Sequence, residues 1–105
     1  MAITTKKKSI RKRFRPSYGV YAYFPTRMAF TPEGDAKEKL LNALAKECGG
    51  VRTGSGTDLV GRRALRDVSF GFKTRQDAQR FLRKLAAHKI RRGSIIDYTK
   101  PPYAD

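Results

Sequence analysis

The chain holds one cysteine, one histidine and no tryptophan among 105 residues. A single cysteine excludes an intrachain disulfide. One cysteine and one histidine are too few ligands for a protein-only zinc site, so no metal and no cofactor is expected. Acid is scarce: 9 Asp and Glu stand against 24 Lys and Arg, a formal net charge of +15. No apolar run nears the roughly 18 residues of a membrane-spanning helix. No apolar stretch follows the basic N-terminus, as a secretory signal would require. An intracellular protein is expected, in cytoplasm or nucleoid, or in the nucleus of a eukaryote, with no membrane partner. Hydrophobic residues nevertheless make up 39% of the chain, with five tyrosines and six phenylalanines. That is enough for one domain and too apolar for a wholly disordered chain.

The positive charge is uneven. Residues 1–16 carry Lys6, Lys7, Lys8, Arg11, Lys12, Arg13 and Arg15 with no acid, and only Ile3, Ile10 and Phe14 to bury. Like charges packed this closely repel, so a flexible arm that orders on a polyanion is expected. A solubilising tail is the plainer alternative. KKKSIRKR also fits a nuclear-localisation pattern, and an organellar presequence would share the basic, acid-poor character. The folded domain is expected over 17–100, with a short C-terminal tail at 101–105.

Residues 17–24, SYGVYAYF, alternate with period two. Tyr18, Val20, Ala22 and Phe24 share one face, Tyr21 and Tyr23 the other, which predicts a strand. Pro32 and Gly34 read as loop punctuation. A helix is expected from Asp35, with Glu38 three residues on as in a capping box. Leu40, Leu41, Leu44 and Cys48 follow at helical spacing, and Gly49-Gly50 is a stop. Residues 51–60, VRTGSGTDLV, look like strand at the ends and loop at the centre, and 61–63 like a hairpin turn. Residues 65–73 alternate again, with Val68, Phe70 and Phe72 on one side and Asp67, Ser69, Gly71 and Lys73 on the other. Thr74 and Asp77 open a second helix, whose stripe is Ala78, Phe81, Leu82, Leu85 and Ala86. A last strand is expected at 94–98.

This order is strand, helix, strand, strand, helix, strand. Right-handed crossovers and a central hairpin then give an α+β ferredoxin-like plait: four antiparallel strands with both helices on one face. The uncovered face would carry Tyr21 and Tyr23 among Arg62, Arg63, Arg66 and Lys73. Bases stack on such rings while Lys and Arg hold phosphates. The two tyrosines could equally pack on each other, on the arm, or against a second copy, so a homodimer through this face competes.

VYAYFP at 20–25 resembles the shorter RNP motif of RNA-recognition-motif domains, with Tyr21 at the stacking position. Phe72, followed six residues later by Ala78, is similar to that family's exit from its third strand into its second helix. The resemblance runs from Val20 to Tyr98 in order of elements and implies the plait and an RNA-binding sheet. It departs on the third strand, where Asp67 and Ser69 stand in place of two aromatics. Charge is therefore expected to lead the chemistry.

The remaining motifs are weaker. GGVRTGSG at 49–56 lacks the GK[ST] of a phosphate-binding P-loop and reads as a bulged edge strand. Arg80, Arg83, Lys84, Lys89, Arg91 and Arg92 gather six cations around the second helix and its exit with no acid between them, a second phosphate-contacting surface. His88 reads as a helix-end residue and Cys48 as core. GVYAYFPTR at 19–27 ends in arginine like the phosphate loop of acylphosphatases. It lacks that loop's glycines, and Asn42 sits mid-helix, so no catalytic residue and no enzyme is expected. The expected function is a non-enzymatic nucleic-acid-binding module, RNA favoured over DNA, as part of or bound to a ribonucleoprotein. The alternative is a small basic accessory or phage-type inhibitor that occupies the acidic or nucleic-acid-binding groove of a protein partner.

Overall fold

The fold was analysed in a computed structural model, which describes residues 15–57 and 65–103. The basic residues Lys6, Lys7, Lys8, Arg11, Lys12, Arg13, Arg62 and Arg63 lie outside the described residues, as does the expected turn at 61–63.

Strand β1 spans Tyr18–Pro25 and a short 3-10 turn follows at Thr26–Met28. Helix α1 spans Pro32–Glu47, three residues longer at its start than the sequence implied. Its cap is Thr31, not Asp35: the Thr31 hydroxyl accepts from the Gly34 amide at 3.1 Å. Pro32 therefore takes the first helical position, where its missing N–H costs nothing. Gly34 is needed there because a β-carbon would lie 1.9 Å from the Met28 carbonyl oxygen. The two residues that read as breakers thus build the helix start. Gly49, at φ +74°, ends the helix as expected.

Strand β2 spans Val51–Thr57 at the edge of the sheet, with a register irregularity between Arg52 and Gly54, in line with the bulged edge strand expected for 49–56. Strand β3 spans Leu65–Phe72, and α2 spans Arg75–Ala87 with Thr74 accepting from the Asp77 amide at 3.1 Å. The expected last strand is split. Arg91–Arg92 form β4 and Ile96–Asp97 form β5, both antiparallel to β1. Among the described residues the sheet has five strands, in the order β2-β3-β1-β4 with β5 also on β1, and all its pairings are antiparallel.

One face of the sheet is dry. Val20, Ala22, Phe24, Val68, Phe70 and Phe72 pack with Leu41, Leu44, Ala45 and Cys48 of α1 and Ala78, Phe81 and Leu85 of α2. The Phe81 ring lies 5.1 Å from both Phe70 and Phe72. Burying each such ring stabilises the fold by about 1.5–3 kcal/mol. Cys48 belongs to this core, and burial pushes its thiol pKa up. Ala86, expected on the stripe, is exposed. No helix among the described residues is long and apolar enough to cross a membrane.

Candidate nucleic-acid interface

The register of the sheet sorts the expected site residues. In antiparallel pairs, directly opposed residues share a face. Tyr23 stands between Arg91 and Asp67, Tyr21 opposes Ser69, and Gly19 stands between Ile96 and Gly71. All lie on the side away from the helices. Tyr21 and Tyr23 are half-buried, their ring centroids 6.3 Å apart and tilted by 55°.

Half of this face is closed. Thr53 donates to Ser69 Oγ at 2.9 Å, Ser69 Oγ reaches the Gly54 carbonyl at 3.3 Å, and Pro16 and Thr53 lie over Gly71. Ser69 and Gly71 are therefore buried, although the sequence placed them on an open surface. Lys73 follows the end of β3 and is exposed. Pro16 also fixes where the basic arm joins the domain, with the exposed Arg15 immediately before it.

The other half is richer in aromatics than the sequence implied. The Tyr98 ring lies over Gly19, where a β-carbon would sit 2.5 Å from the phenol oxygen. Glycine is what lets this ring lie down on β1. Tyr103 packs edge-on against Tyr98, with centroids 5.1 Å apart at 89°. Burial raises the Tyr98 pKa, and the neighbouring Tyr21 and Tyr103 hydroxyls add to that shift. Sequence reasoning missed Tyr103 because KPPYAD has no periodicity, and it gave Tyr98, the end of the expected strand at 94–98, no place on this face. The available signal was Tyr98 itself, two residues beyond Ile96 in the strand's alternation.

Arg66 does not stand with the tyrosines. It opposes Phe24 on the helical side and is buried. Its Nε and Nη2 donate to Glu38 Oε2 and Oε1 at 2.9 and 3.1 Å, and Nη1 donates to Thr57 at 2.7 Å. Arg52 reaches the same carboxylate at 2.9 Å, while the Arg66 guanidinium covers the Phe30 ring at 5.2 Å. The Arg66 hydrogen bonds foremost, then those of Arg52, hold the Glu38 carboxyl below its usual range against the opposing effect of burial. The pattern is a fork-to-carboxylate clamp tying α1 to β2 and β3.

The cations of α2 form a separate surface. Arg80, Arg83, Lys84 and Ala87 line an open depression of about 290 Å³. The acids missing from the local sequence come from nearby: Asp77 is 3.6 Å from Arg80, and Glu47 of α1 is 3.4 Å from Lys84. Both pairs are partly exposed and contribute little stability. Lys89 and Arg92 are exposed at the exit, with Arg92 donating to the Ile90 carbonyl at 3.0 Å. The structure thus brings Arg91 to the tyrosines and keeps Arg80, Arg83 and Lys84 on the helical side. Among the described residues no three His, Cys, Asp or Glu gather as a metal site would need. No family model matches the chain, and no match was found among curated proteins or solved structures.

Proposed function

We propose that the chain is a non-enzymatic nucleic-acid-binding module on a ferredoxin-like plait, with RNA preferred over DNA, working as a ribonucleoprotein component. The strand order β2-β3-β1-β4 and the all-antiparallel pairing support the plait. The observation that carries the functional reading is the basic depression on α2, lined by Arg80, Arg83 and Lys84. With the seven basic residues of 1–16, it gives a polyanion two separate places to be neutralised. Asp77 and Glu47 face two of these three cations, so the depression itself is only modestly net positive and the arm supplies most of the charge. RNA is preferred because folded RNA offers phosphates in several directions, and neither helix stands clear of the core as a groove-reading helix does.

The mechanism is counterion release. With about seven phosphates neutralised, the slope of log affinity against log salt is about −6 on duplex DNA and about −5 on a single strand. Titrating a labelled RNA at several salt concentrations measures it, and a flat response overturns the reading. Recovery from cells with and without nuclease gives the second test. A protein partner that survives nuclease would instead mark an inhibitor seated in that partner's groove.

A further inference from the structure

We infer that two copies of the chain pair through the turn ahead of α1, each seating its Phe30 ring in a depression on the other. The contact is distinct from the uncovered sheet face and shares no residue with the basic depression on α2. It goes beyond the nucleic-acid reading and does not depend on it.

Three observations carry it. The first is the ring. Phe30 is 79% exposed, the most exposed large hydrophobic side chain among the described residues. Its backbone is left-handed, at φ +62°, a conformation that bulky side chains disfavour. Lys89 shares it at φ +57°, but there it closes the end of α2, where it is common. The Arg66 guanidinium, itself fixed by Glu38 and Thr57, covers one side of the Phe30 ring and leaves the rest to water. A ring fixed in place before contact loses little freedom on docking.

The second is the hole. Arg27, Met28, Thr31, Pro32 and Glu33 line an open depression of about 340 Å³, with Met28 and Pro32 as its apolar wall. An apolar cavity of about 150 Å³ already holds a benzene ring, so a phenyl side chain fits. Phe30 lies in the chain between Met28 and Thr31 but does not line this space, because its ring rests against Arg66. Knob and hole are therefore neighbours, and neither fills the other. A two-fold axis between two copies seats both rings at once, a reciprocal contact that closes a dimer and does not propagate.

The third is the rim. Arg27 and Glu33 carry opposite charges on the same hole, both are exposed, and neither forms an ion pair among the described residues. Across the two-fold axis, Arg27 of each copy meets Glu33 of the other. An apolar anchor ringed by complementary polar groups has the anatomy of a protein–protein contact. The net charge of +15 on each copy opposes association. At about 0.15 M salt that repulsion is screened beyond about 8 Å, while charges in contact still attract.

The test is sedimentation velocity of the full chain, freed of nucleic acid by nuclease, over a range of concentrations at about 0.15 M salt. The wild type is expected to dimerise reversibly with a Kd on the order of 10 μM, as a small contact allows. Phe30→Gly removes the ring while suiting the left-handed backbone, and should weaken the dimer about thirtyfold. Arg27→Glu and Glu33→Arg each set like charges against one another and should weaken it about tenfold. The two reversals in one chain should restore it to within about threefold of wild type, a rescue that only the reciprocal contact gives. A wild type that stays monomeric up to about 1 mM overturns the inference and leaves the ring to a different protein. A dimer that Phe30→Gly leaves intact overturns it, as does one that Tyr21→Leu alone abolishes, which puts the contact on the uncovered sheet face. Failure of the double reversal to restore what the single reversals remove overturns it as well.

Discussion

Two glycines show how differently the same missing β-carbon is used. At Gly34 the obstacle is backbone, the Met28 carbonyl, which belongs to the turn that delivers the chain into α1. At Gly19 it is the phenol end of Tyr98, which rotates away. Gly34→Ala is therefore expected to destabilise the domain by about 3 kcal/mol, the upper range for overpacking, whereas Gly19→Ala should cost less than about 1 kcal/mol. Thermal unfolding of the two variants measures the contrast. Gly19→Ala should also return the Tyr98 phenol toward its ordinary pKa, read from its ultraviolet titration. None of this is legible in the sequence, where a glycine before a helix and a glycine in a strand both read as weak spots. What makes them necessary is a neighbour distant along the chain or around a turn.

The elements were legible where periodicity is strong. Phe70 and Phe72 alternate with polar or small residues, and Phe81, Leu82 and Leu85 fall on a helical stripe, so β3 and α2 stand where the pattern put them. Local rules failed at ends and edges. Pro32 has two opposite meanings depending on whether it falls inside a helix or at its first position. The glycines of β2, by contrast, stand in the bulged edge strand that their pattern suggests, held extended by pairing with β3. Arg91-Arg92 has no strand signature, and only its hydrogen-bonding to β1 makes it one. The sequence did place Tyr21 and Tyr23 together, since alternation alone decides that. It could not place Arg66, because a charged residue in the buried phase becomes acceptable only when Glu38 arrives from another element. Helix starts are a testable case of this context. Thr31→Ala and Thr74→Ala each remove an acceptor for a third-position amide, at about 1 kcal/mol. Thr31 also donates to the Met28 carbonyl, so its variant should lose more, as denaturant midpoints would show.

At the scale of the whole molecule, the Glu38 clamp is a stitch between three elements in a domain otherwise held by one small core. Its folded-state pKa is depressed, so the unfolded chain binds the proton more readily. The resulting stability is present above the unfolded pKa and is lost as pH falls through the folded value. Wild type should lose stability progressively below about pH 4–5. Glu38→Gln should be less stable at neutral pH and show a shallower acid decline, measured by urea unfolding across the range. Glu38→Ala leaves Arg66 buried without its partner and should cost about 2–3 kcal/mol, less than a fully buried pair because Glu38 keeps some water contact. The split edge at β4 and β5 has a different reach. Each segment is two residues long, β4 is two arginines, and the opposite edge, β2, is kinked by its bulge. Neither margin offers a long flat row of amides and carbonyls to a neighbouring chain. With both described margins interrupted, copies of the chain brought close together at high concentration do not zip edge to edge into a continuous sheet.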